Sequence, residues 1–286
     1  EKSNSIASRV DTMSKFVGDF EEDLLRELFI GGYRSLISMN SYLSDSEGFV
    51  SDFDIIYQEI LVNGTANGTE MDLMTQEGVG ADIKSWLGRI NEKATELNIL
   101  VGVEVDHVHV VQISPWEVAL VFNATINISD TKGLASWNFQ KEYIRNISIQ
   151  GLEDPLYTVN SDGRVTNLIN ITPSTDFVND TTEDSSVLLS HMTNSYYIES
   201  ADAPSYLMRF AGNLSPSPFG IESLVDVNFL LAQGIEDTGN SIVDYLYFSN
   251  LSTSLYCNIT GLPDWARVDG DHLDDYEIVK LNYTTC

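Results

Sequence analysis

The chain is 286 residues long, 43% hydrophobic and 10% aromatic, with 13 Tyr and 12 Phe, which is enough apolar material for one large domain or two ordinary ones. Its 43 Asp and Glu against 15 Lys and Arg give a formal net charge of -28. That charge argues against nucleic acid and anionic membrane surfaces as partners, because repulsion from phosphates would dominate any local basic spot. No run of 18 apolar residues is present, so no segment of the sequence reads as a membrane-spanning helix. The opening at Glu1, without Met, predicts a processed or truncated N-terminus.

From Arg9 to about Tyr42, apolar residues recur at Val10, Met13, Val17, Phe20, Leu24 and Leu28, then at Tyr33, Leu36 and Ile37. Spacings of three and four predict one long amphipathic helix, with Phe16, Leu25 and Phe29 widening its stripe. Gly31-Gly32 marks either a kink or a place where another backbone comes close. Shorter helices are predicted over Phe49–Leu61 and Gly80–Leu97. The period then falls to 2. Ile99–Ile113, Trp116–Ser129 and Trp137–Gln150 predict an antiparallel meander. In the middle strand Val118, Leu120, Phe122, Ala124, Ile126 and Ile128 point one way, and Asn123 and Asn127 the other.

Residues 1–150 therefore read as a helix-plus-sheet core, and 151–286 as an acidic elaboration with 20 acidic and four basic residues. In that half the pattern is irregular. Asn160-Ser161-Asp162-Gly163 signals a tight turn, Val187–Met192, Tyr196–Ile198 and Tyr206–Phe210 read as short strands or turns of helix, and Tyr276–Tyr283 as a terminal strand. The predicted class is α+β: a long N-terminal amphipathic helix packed on an antiparallel sheet, followed by the acidic half.

Asn-x-Ser/Thr triplets begin at Asn63, Asn67, Asn123, Asn127, Asn146, Asn170, Asn179, Asn213, Asn250, Asn258 and Asn282. With 21 Asn, and 49 Ser and Thr, chance gives roughly four. The excess predicts an exported chain carrying N-linked glycans. Cys257 and Cys286, the only cysteines, predict a disulfide closing a 29-residue separation and stabilising by roughly 3–4 kcal/mol.

Chemical signatures are sparse. His107 and His109 share a strand face and would need a third ligand to hold a metal; packing is the simpler account. The stretch Asp269 to Glu277 offers oxygens for calcium, but no glycine stands at the sixth position of a calcium loop, so a solvated acidic turn is the simpler reading there. No HExxH, GxSxG, Walker or dinucleotide motif occurs, so no catalytic residue and no cofactor is predicted. Tyr196-Tyr197 and Tyr245, Tyr247 and Phe248 read as core in preference to a sugar- or peptide-binding surface.

A long N-terminal helix followed by an antiparallel meander resembles the layout of type IV pilin-like proteins. The runs ISDTKGLASW (128–137), GLEDPLY (151–157) and APSYLMRFAGNLSPSPFGIESLV (203–225) resemble segments of uncharacterised, glycosylated archaeal cell-surface proteins. The resemblance implies an extracellular surface or filament-forming protein that self-associates or meets other surface proteins. It also implies a membrane anchor through a segment upstream of Glu1, and it carries no active site. The alternatives from other classes are a monomeric ligand-binding or adhesive domain and a secreted hydrolase.

Overall fold

The computed structural model describes residues 2–46, 48–75, 80–179, 182–249 and 256–281, with only the helical backbone described for residues 2–5. They form two compact units: Glu1–Tyr42, Asp52–Ile113 and Glu117–Ser148 in the first, and Leu43–Ser51, Ser114–Trp116 and Ile149–Cys286 in the second.

The periodicity that predicts the first helix produces α1, Lys2–Ser46, longer at both ends than expected. Met13, Phe20, Leu24, Leu28 and Leu36 are fully or almost fully buried, whereas Val10 and Phe29, assigned to the stripe from sequence, are 39% and 49% exposed. Gly31-Gly32 does not break the helix. A Cβ on Gly31 would lie 2.7 Å from the Ala81 carbonyl oxygen, and one on Gly32 would lie 2.9 Å from both Ile147 Cδ1 and Leu120 Cδ2. Tyr57 Oη donates to the Gly32 carbonyl at 3.0 Å. The glycines lower helix propensity by about 1–2 kcal/mol and let neighbouring groups reach the helix backbone.

Helix α2, Phe53–Asn63, stops at Gly64, which takes the left-handed conformation. A hairpin of β1 (Thr65–Ala66) and β2 (Thr69–Glu70) follows, turned by Asn67-Gly68 with both residues at positive φ. After α3 (Asp72–Thr75), α4 (Ile83–Glu96) starts where Asp82 accepts a hydrogen bond from the Ser85 backbone N–H at 2.8 Å.

The sheet runs β3 (Ile99–Ser114), β4 (Glu117–Asp130) and β5 (Ser136–Ser148) in that spatial order. Alternation in β4 sets the faces. Val118, Leu120, Phe122, Ala124, Ile126 and Ile128 are all fully buried. Pairing of Phe122 with Tyr143 and of Val118 with Ile147 extends this inner face onto β5. Helix α1 lies on the sheet: Tyr143 Oη and Lys141 Nζ donate to Glu21 at 2.8 and 2.6 Å, Arg145 Nε donates to the Leu25 carbonyl at 2.8 Å, and Arg9 Nε meets Asp130 at 2.7 Å.

The second unit is built from short elements. They are α5 (Pro155–Asn160), α6 (Ser186–Thr193), β6 (Tyr197–Glu199), α7 (Tyr206–Phe210), β7 (Ile221–Ser223), α8 (Val227–Ala232), α9 (Asp244–Tyr247), β8 (Tyr256–Asn258) and β9 (Arg267–Asp269). Strands β6 and β7 pair antiparallel, as do β8 and β9. Tyr157, Leu188, Leu224, Val225, Ile242, Val243 and Tyr276 share its apolar core.

Two expectations are corrected, and a third falls on a residue that is not described. The predicted terminal strand is, up to Leu281, a 3-10 turn over Ile278–Lys280, because Glu277 turns left-handed and its carboxylate accepts from the Phe177 and Val178 N–H groups. Among the described residues no helix is long and apolar enough to cross a membrane. Helix α1 has the length, but it carries charges throughout and spends its apolar stripe on the sheet, so the membrane-anchored reading is withdrawn. The expected Cys257–Cys286 disulfide forms no part of the described structure, because Cys286 lies outside the described residues. Cys257 is fully buried in β8 and is not a free thiol.

Candidate functional site

The polar groups of the second unit converge in two adjoining buried clusters. In the first, Asp154 caps α5, accepting from the Leu156 N–H at 2.8 Å with Pro155 as the first helical residue. Its second oxygen accepts from Tyr197 Oη at 2.7 Å and Arg209 Nη1 at 2.6 Å. Arg209 leaves α7 with no exposed surface and also reaches Asp244, at the start of α9, at 2.9 Å. Its Nη2 donates to the Ile221 carbonyl. Asp244 accepts in addition from the backbone N–H and Oγ of Ser223. Burial pushes the Asp244 carboxyl up to about 6, against the pull of Arg209. This cluster ties α5, α7, α9 and β7 to one guanidinium.

The second cluster begins with Glu222 on β7. Its Oε1 accepts from Tyr276 Oη at 2.9 Å. Its Oε2 is buried without a hydrogen-bond partner and lies 3.5 Å from His272 Nε2, an ion-pair distance. His272 closes a 3-10 turn, Gly270–His272, that Asp269 caps. Asp269 Oδ1 lies 2.6 Å from His272 Nδ1, and Asp269 Oδ2 accepts from Ser241 Oγ at 2.7 Å. Tyr245 Oη lies 2.9 Å from Nε2. Burial alone would lower the His272 pKa, but Asp269 and Glu222 raise it to about 10. Asp275 completes the group: one ligand atom from each of Glu222, His272 and Asp275 lies within 4.8 Å of the others. Asp275 is exposed and also lines a cavity of about 400 Å³ with Trp116, Thr172, Phe177, Tyr197 and Glu199.

Most residues singled out from sequence lie elsewhere. The His107 and His109 rings stack with centroids 4.9 Å apart, and among the described residues no Cys, Asp or Glu joins them as a metal-ligating group. The Asp269–Glu277 stretch does not turn wholly to solvent: Asp269 and His272 point inward, while Asp271 and Asp274 are exposed. Tyr197, Tyr245 and Tyr247 are buried, in keeping with the core reading. Of the triplet asparagines, Asn63, Asn67, Asn127, Asn146, Asn170, Asn179, Asn213 and Asn258 are exposed and Asn123 is half-buried. Asn250 and Asn282 lie outside the described residues. Asp154, Arg209, Glu222 and Asp244 were missed. One signal was available: Arg209 sits in the apolar run YLMRF, where a buried guanidinium needs acids from elsewhere in the chain.

No family model, no curated protein and no solved structure matches this chain.

Proposed function

We propose that this chain is a multiply N-glycosylated structural protein of the cell exterior, a surface or filament-forming component whose sheet presents a glycan-bearing face. The observation that carries this reading is the placement of the triplets. Every triplet asparagine among the described residues reaches the surface, as a glycan acceptor must, although most other asparagines do so too. The β4–β5 register pairs Ala119 with Asn146, so Asn146 shares the outer face with Asn123 and Asn127, opposite the face that packs on α1. A transferase needs exposed acceptors, and Asn127 and Asn146 on this face are exposed, although Ala119 and Val121 beside them are buried. The acidic surface suits basic partners and a salty exterior, where salt screens repulsion between copies. The archaeal-type resemblance of segments 128–137, 151–157 and 203–225 points the same way.

Intact-mass measurement of protein purified from its native source tests the reading. It predicts a mass that falls by the weight of several glycans on chemical deglycosylation; a native mass unchanged by that treatment contradicts it. The alternative of a ligand-binding or hydrolytic exterior domain rests on one observation, the convergence of Glu222, His272 and Asp275 beside a cavity.

A further inference from the structure

We propose that Glu222, His272 and Asp275 form a binding site for one first-row divalent transition metal ion, with zinc as the representative. The ligands come from β7, from the 3-10 turn Gly270–His272 and from the turn after it, and their donor atoms meet within 4.8 Å. The Nε2-to-Oε2 separation of 3.5 Å is close to the about 3.3–3.4 Å expected between two ligands on a tetrahedral ion with bonds of about 2.0–2.1 Å. Glu222 presents one oxygen whose only close polar neighbour among the described residues is the His272 imidazole. Its side chain has no exposed surface, and Oε2, the oxygen turned to His272, makes no hydrogen bond. A divalent ion between Oε2 and Nε2 takes the place of the proton that the Glu222–His272 ion pair holds there, so binding releases that proton.

Both buried ligands are held before the ion arrives. Asp269 engages Nδ1 of His272 and leaves Nε2 aimed at Glu222, the carboxylate–histidine arrangement that supports metal-ligating imidazoles. Tyr276 fixes the other oxygen of Glu222. Tyr245 Oη, 2.9 Å from Nε2, is the contact that the ion displaces. Asp275 is exposed, so the third ligand stands where an ion enters, beside the cavity lined by Trp116 and Glu199. An imidazole with two carboxylates suits zinc and its neighbours; calcium prefers six to eight oxygens, which this group does not supply. The site is independent of glycosylation, and its test shares no readout with the glycan measurement.

Full-length protein stripped with chelator is titrated with Zn²⁺ by calorimetry in high salt, which screens diffuse binding to a surface of net charge -28. Co²⁺ serves as the spectroscopic probe. The expected result is one saturable equivalent of Zn²⁺ and visible Co²⁺ bands of low-coordinate intensity. Asp275→Asn, at an exposed position and with unchanged circular dichroism, should weaken Zn²⁺ at least about 10-fold, and so should Asp269→Asn through the orientation of His272. Absence of a saturable equivalent, equal affinity for Mg²⁺, or affinity unchanged within about twofold in Asp275→Asn overturns the proposal. Asp275→Asn decides the matter should Glu222→Gln or His272→Gln fail to fold.

Discussion

Arg209 takes one positive charge into a site where Asp154 and Asp244 are both fully buried, and no water replaces it there at low cost. Truncating one partner of a buried ion pair strands the other charge, which costs about 3–5 kcal/mol, more than the packing of an equally long apolar side chain restores. Arg209→Met is therefore expected to lose about 3–5 kcal/mol in urea denaturation, whereas Lys15→Met, removing the cation from an exposed pair with Asp11, should change stability by less than about 1 kcal/mol. A second residue-scale prediction concerns His191. Burial lowers its pKa from 6.5 to about 4, and it faces Phe177, Tyr196, Tyr276 and Thr172, with no carboxylate among these partners. The folded state thus binds this proton more weakly than the unfolded state. Its stabilising contribution is complete above pH 6.5 and is lost as pH falls from 6.5 toward 4, because the unfolded chain protonates first. Between pH 7.5 and pH 5 this group should remove on the order of 2 kcal/mol. His191→Phe should lose less stability than the wild type over that interval, and equal losses in the two proteins would contradict the assignment.

At the scale of elements, α1 separates two kinds of glycine. A Cβ at Gly18 meets nothing within 4 Å, whereas one at Gly31 runs into the Ala81 carbonyl at 2.7 Å. Gly18→Ala should raise stability by about 0.5–1 kcal/mol through helix propensity, and Gly31→Ala should lower it by about 1–3 kcal/mol because backbone must move; thermal melts of the two variants read the difference in sign. The same helix shows why some elements were legible in the sequence. Its stripe at Met13, Phe20, Leu24 and Leu28 and the alternation of Val118 to Ile128 are repeats set by helix and strand geometry, and both are buried where the repeat puts them. Phe29 escaped the pattern because it lies at the edge of the stripe, where packing and not period decides exposure. The predicted strand at Tyr276 failed for a different reason. Its local composition favoured extension, but Glu277 accepts two N–H groups from residues about 100 positions earlier, and that long-range contact fixes the turn.

For the whole molecule, the fold class could be read from patterning, since it follows from local periods. The candidate site could not. Glu222, His272 and Asp275 come together only after β7 and the turn at Gly270–His272 have been placed, and nothing local distinguishes Glu222 from the other 42 acids. The triplets are the opposite case: they are local signals whose meaning depends on a global property, exposure, and the register of β4 with β5 collects three of them on one outer face. Site-resolved glycopeptide mass spectrometry of the native protein decides whether the chain has a glycosylated exterior role. Glycan is expected at Asn127 and Asn146 on that face and at several of the exposed asparagines Asn63, Asn67, Asn170, Asn179, Asn213 and Asn258. Unmodified asparagine at all of them would contradict that role.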